Sequence, residues 1–140
     1  MPKSPAELEE AVMLKIAAHL QENWPNAVAH VDYGSGLKMT MRQAKRQKAL
    51  NPRRGHPDLV IYEVRGSFIG LAVELKRDGV NIYKRDKTTP TTEHIAEQRD
   101  YLRLLSARGW YTAFAVGAPD CLQLIDDYLS GKLQPENDQD

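Results

Sequence analysis

With a single cysteine, Cys121, the chain can hold neither an internal disulfide nor a cysteine-rich metal cage. The residue is left the role of a small side chain packed near a helix start. Long apolar runs are also missing. The longest are too short to span a bilayer, and the N-terminus MPKSPAELEE is acidic and unlike a signal peptide, so a cytoplasmic protein with no membrane partner is expected. Neither an internal repeat nor a linker interrupts the 140 residues, a length that fits one domain. That domain is expected over residues 1–131, followed by a polar, acidic and disordered tail over 132–140. Net charge is missing too: 19 basic and 19 acidic residues sum to +0, which at first argues against a nucleic-acid partner.

The distribution of charge says otherwise. Lys38, Arg42, Lys45, Arg46, Lys48, Arg53 and Arg54 lie between Leu37 and Arg54 without one Asp or Glu, whereas the stretch from Asp120 to Asp140 is acidic. A phosphate backbone meets the local patch rather than the sum. A basic run is usually only a solvated face, so this patch by itself leaves both readings open.

Periodicity gives the order of elements. Ser4-Pro5 opens a first helix, whose apolar stripe is Leu8, Val12, Met13, Ile16, Ala17 and Leu20, and Trp24-Pro25-Asn26 stops it. Ala27 to Tyr33 reads as a short strand, the loop 33–36 follows, and Met39 to Leu50 reads as a basic helix ended by Asn51-Pro52. Leu59–Glu63 and Phe68–Lys76 read as two strands joined by a hairpin at Arg65-Gly66. Asp78 to Thr91, polar and carrying Gly79 and Pro90, reads as a mobile loop. A helix over about Thr92–Ala107, with Gly109 as its cap, leads to a buried strand over Trp110–Val116 and a last helix over Asp120–Leu129. The fold class is α/β, one mixed sheet of about four strands flanked by helices.

The chemistry gathers at two strand ends. Side chains alternate along a strand, so Glu74 and Lys76 share one side while Leu75 takes the other. Leu71, Ala72 and Val73 before them form the continuous apolar run of a strand covered on both faces. A carboxylate and an ammonium at the end of such a strand make either a plain ion pair or a functional site. Asp58 decides between them. It enters a strong β run directly after Pro57, and if the hairpin pairs its strands, Asp58 and Glu74 become neighbours. Two converging carboxylates suit Mg²⁺ or Mn²⁺, hard ions held by few protein ligands plus water and phosphate oxygens. Lys76 would then orient or deprotonate an attacking water and offset negative charge in the transition state. His56 and His94 read as a turn residue and a helix-start residue, and His19 and His30 show no ligand spacing.

Pro57-Asp58 followed by Glu74-Leu75-Lys76 resembles the PD-(D/E)xK nuclease signature. The wider context, Arg65 to Lys76 with His94-Ile-Ala-Glu-Gln98, Tyr101-Leu102, Leu105 and Gly109, is similar to the VRR-NUC (virus-type replication-repair nuclease) branch of that superfamily. The similarity runs from the first helix to about Leu129. It implies a restriction-endonuclease-like fold, a stand-alone protein of phage type in a bacterial or infected cell, and branched DNA such as a Holliday junction or flap as substrate, in replication, recombination or repair. It also implies that Gln98 lies near the metal and helps hold the environment of the attacking water. Glu9 matches the first-helix glutamate, and independently it falls on the apolar face of that helix, where a carboxylate needs a partner. Glu10, on the flank, is the alternative if the helix is rotated. The loop 78–91 is longer than the shortest relatives need.

The combined expectation is a Mg²⁺- or Mn²⁺-dependent deoxyribonuclease with catalytic Asp58, Glu74, Lys76, Gln98 and Glu9. Of these, Asp58, Glu74 and Glu9 are candidate metal ligands, while Lys45, Arg46, Lys48, Arg53 and Arg54 would bind DNA. One such site per chain makes a homodimer the economical way to cut two strands. The competing readings are a catalytically silent DNA-binding module of the same fold and a small interaction protein with a basic surface.

Overall fold

The computed structural model describes residue 2 and residues 5–32 and 39–135. Ser4 as a cap, the loop 33–36, Lys38 and the tail over 136–140 lie outside the described residues, as does the side chain of Leu8. Among the described residues the elements follow in the expected order. They are α1 (Pro5–Asn23), β1 (Ala29–Val31), α2 (Met41–Leu50), β2 (Leu59–Ile61), β3 (Gly70–Lys76), α3 (Glu93–Ser106), β4 (Trp110–Val116) and α4 (Ala118–Leu129). None of these helices is long and apolar enough to cross a membrane.

The strands form one sheet in the order β1-β2-β3-β4. β1, β2 and β3 run antiparallel, whereas β4 runs parallel to β3, which requires the crossover that α3 provides. Strand alternation then sorts the side chains. Leu59, Ile61, Leu71, Val73 and Leu75 meet Met13, Ile16 and Leu20 of α1 and Cys121, Ile125, Tyr128 and Leu129 of α4 in the hydrophobic core. Burying side chains of this size contributes about 1.5–3 kcal/mol each. The intervening strand positions turn towards α3, which buries Ile95, Gln98 and Leu102. Asp126 ties the two helices of the first face together, accepting from Trp24 Nε1 at 2.8 Å and pairing with His19 Nε2 at 2.7 Å.

Two elements differ from expectation in character. β4 is half-buried rather than buried, because it forms an edge of the sheet. The segment 78–91 is organised, with a Tyr83–Pro90 bridge and backbone bonds of its own. Helix α2 buries no residue at all. It is held locally by a capping box, in which Thr40 Oγ1 accepts from Gln43 N–H at 3.1 Å and the Gln43 side chain accepts from Thr40 N–H at 2.9 Å.

Candidate active site

The hairpin register makes the site. Leu59 pairs with Val73, so the next step outward sets Asp58 opposite Glu74, and directly opposed residues of antiparallel strands share a face. Leu75 N–H donates to Asp58 Oδ2 at 3.0 Å, which holds the aspartate over the end of β3. The same step on the other side brings in a third carboxylate. Val31 pairs with Leu59, and Asp32 N–H donates to the Asp58 carbonyl at 2.7 Å. Asp32, Asp58 and Glu74 thus follow one another across three strands. Asp32 is not among the residues singled out from the sequence, although β1 ends its apolar run on an acid just as Val73-Glu74 does.

The loop before Asp58 is locked onto α3. Gly55 has φ of +90°, and a Cβ there would lie 2.8 Å from Glu97 O and 3.0 Å from Gln98 Cα. Only glycine combines that dihedral with that approach, so Asp58 and Gln98 are carried on one frame. Gln98 Nε2 donates to Glu74 Oε1 at 2.7 Å. Asp58, Glu74 and Gln98 are 6%, 2% and 5% exposed, deep for such polar groups. Glu74 Oε2 and Gln98 Oε1 are buried without a hydrogen-bond partner among the described residues.

Burial, then the hydrogen bond and charge of Asp58, push Glu74 up to about 11, with Lys76 pulling the other way and Asp32 adding to the rise. Without a compensating cation, the two carboxylates cannot both be ionised cheaply. Cys121, buried in the core, is pushed up to about 12 and is inert as a nucleophile.

Glu9, Asp58, Glu74, Lys76 and Gln98 all line one pocket of about 190 Å³, together with Arg77 and His94. The structure therefore brings all five expected catalytic residues to one cavity, and Glu9 rather than Glu10 stands in its wall. Among the described residues, no three His, Cys, Asp or Glu side chains close to metal-ligating geometry, so Glu9 stands off from the Asp58–Glu74 pair. His94, expected as a helix-start residue, also lines a second, larger cleft of about 980 Å³. There Arg42, Lys45 and Lys48 of α2 line the cleft together with Arg53, Arg54 and His56. Arg46 is absent from that wall, since it follows Lys45 by about 100° around the helix. His56 stays a turn residue, with Nδ1 3.7 Å from Asp32 and its ring edge-on to Tyr101.

No protein-family model and no curated protein matches the sequence. Among solved structures, a VRR_NUC domain protein superposes on 94% of this chain and 92% of its own length, with a TM-score of 0.62 and 20% identity. The chain therefore has the fold of that VRR_NUC domain protein, the restriction-endonuclease-like mixed sheet with helices on both faces.

Proposed function

We propose that this chain is a VRR-NUC nuclease, a Mg²⁺- or Mn²⁺-dependent deoxyribonuclease that hydrolyses phosphodiester bonds. The observation that carries the reading is the buried Asp58–Glu74 pair, with Lys76 and Gln98 in the same pocket, next to a cleft walled by arginine and lysine. The donor set fits a hard divalent cation. It is all oxygen, and two of its oxygens, Glu74 Oε2 and Gln98 Oε1, are buried and unsatisfied. Asp58 and Glu74 would hold the ion, with Glu9 and Gln98 nearby. When bound, the cation offsets charge developing on the scissile phosphate and raises the acidity of water.

The chain's own residues do the rest. Leu75 N–H occupies Asp58 Oδ2, which fixes the carboxylate's direction. Gln98 fixes that of Glu74. Lys76, on the Glu74 side of β3, orients the attacking water, can take its proton, and counters negative charge as the phosphate reacts. Lys45, Lys48, Arg53 and Arg54 bind the phosphate backbone, supplying affinity rather than sequence choice; Arg46 is placed to reach DNA only outside the cleft.

The resemblance favours branched DNA, and a single site per chain favours a homodimer presenting two sites to one substrate. The test is cleavage of plasmid, linear duplex and four-way junction with Mg²⁺, Mn²⁺ or chelator, comparing wild type with Asp58→Asn. Metal-dependent cutting lost in the variant is expected, with sedimentation returning twice 15.8 kDa. Salt-dependent binding without cutting under any metal would leave a DNA-binding module instead.

A further inference from the structure

The hairpin over 81–91 belongs to neither cavity, yet it is rooted beside both. Arg77, in the pocket wall, precedes it, and His94, in the walls of pocket and cleft, follows it. Its arms are tied by Lys84 N–H to Thr89 O at 2.7 Å and Thr91 N–H to Ile82 O at 2.9 Å. Its tip is tied by Asp86, which accepts from the N–H groups of Thr88 and Thr89 at 3.0 and 2.9 Å and from the Thr89 hydroxyl. The acid is thus engaged inside the turn.

Among the described residues the three cations around it form no ion pair, although Lys84 adds to the hydrogen bonds that hold Asp86 below the usual carboxylate range. Lys84, Arg85 and Lys87 are exposed. The ion pairs among the described residues are His19–Asp126, His56–Asp32 and Arg99–Asp100, and none includes them. Lys87 also has φ of +62°, the one positive value at a non-glycine position among the described residues. An L side chain there costs about 1–2 kcal/mol that glycine would not incur, and strain kept at an exposed tip points to a use for the side chain.

We propose that this tip is a second phosphate-binding prong, separate from the α2 cleft, that grips the nucleic-acid backbone next to the cutting pocket. It rests on the nuclease reading. The stiff turn gathers Lys84, Arg85 and Lys87 within a few residues, so one tip presents three cations to a backbone that carries a charge about every 3.4 Å of helix axis on each strand.

The test is fluorescence anisotropy on labelled duplex and four-way junction across a salt series, in chelator so that nothing is cut. The proteins are wild type, Lys84→Gln/Arg85→Gln/Lys87→Asn and Lys45→Gln/Arg53→Gln. The hairpin variant keeps the turn, since asparagine tolerates positive φ, and should lower the log–log salt slope by about 2–3, near one for each phosphate no longer held. Asp86→Ala adds net positive charge but frees the tip, and should weaken binding about fivefold, the scale of ordering a side chain again on binding. A hairpin variant with the wild-type slope, beside a cleft variant that loses slope, would overturn the prong and leave the nuclease reading standing. Tighter binding by Asp86→Ala would overturn it as well. Wild type without salt-dependent DNA binding would remove the nuclease reading, and the prong with it.

Discussion

Replacing Glu74 by glutamine should make the metal-free protein more stable at neutral pH while removing cleavage. The carboxyl is 2% exposed, faces Asp58, and leaves Oε2 without a partner. Its folded-state pKa is raised from 4.5 to about 11, chiefly by burial and then by Asp58. The sign follows from proton linkage. Between those two values the folded chain keeps a proton that the unfolded chain releases, so stability is full below the lower value and falls as pH rises. The limiting slope is about 1.4 kcal/mol per pH unit, so going from about pH 7 to about pH 9 costs the metal-free protein at most about 3 kcal/mol. For a chain of this size that is a drop in Tm of about 10 °C.

Glutamine keeps the shape and the bond from Gln98 but has no proton to lose, so its Tm should be flat over the same interval. The assay is thermal unfolding of chelator-treated wild type and Glu74→Gln across that range, repeated with Mn²⁺. The ion should lift the wild type most at the alkaline end, because binding displaces the proton. Parallel Tm–pH curves for the two metal-free proteins would refute the reasoning, since they would mean that Glu74 ionises at no cost to the fold.

Lys76→Ala should bind DNA nearly normally and cut at least about a hundredfold more slowly in single-turnover assays, whereas loss of a mere surface ion pair would cost about 0–1 kcal/mol. Lys76→Arg should not restore the rate, because guanidinium stays protonated. Reversing the charge of Lys45 or Arg53, in the cleft wall, should lower the salt slope of DNA binding by about one unit each; the same change at Arg46, outside that wall, should lower it less. Gly55→Ala should lower stability by more than about 1 kcal/mol in denaturant titration and slow cleavage, since its methyl would meet the α3 backbone beneath Gln98.

What was legible in the sequence was legible for local reasons. Arg65-Gly66 announces a hairpin, so two strands close together in the chain bring Asp58 near Glu74; their register was not legible, because Arg65 bridges Phe68 while Leu59 pairs with Val73, a one-residue offset from the turn that sets Asp58 opposite Glu74. Asp32 was not legible. β1 pairs with β2 across a long intervening segment, and no turn chemistry states that register. The edge position of β4 was hidden because an uncharged, apolar strand reads alike whether one or both of its edges are paired. The order in 81–91 was hidden because it depends on Asp86 bonding Thr88 and Thr89, a pattern that polar composition does not separate from a loose loop. Helix α2 could be read from its lack of glycine and proline, but not its isolation from the body. A ten-residue helix that buries nothing is marginal by itself in water.

The pocket is costly to the fold, and that bears on why its residues stand where they do. A buried acceptor without a partner costs about 1–3 kcal/mol, and among the described residues Glu74 Oε2 and Gln98 Oε1 are two such atoms. Burial and the neighbouring Asp58 make Glu74 keep its proton in the metal-free fold. The fold carries that cost because the same strands bury Leu59, Ile61, Leu71 and Val73 on the opposite face, and because Gly55 lets the approach to α3 close without strain. Apolar residues of similar volume at 58, 74 and 98 would yield a more stable sheet. On the nuclease reading, a divalent cation held there would relieve that cost. On the nuclease reading, substitutions at Asp58, Glu74 and Gln98 that raise Tm should be the same ones that abolish cutting.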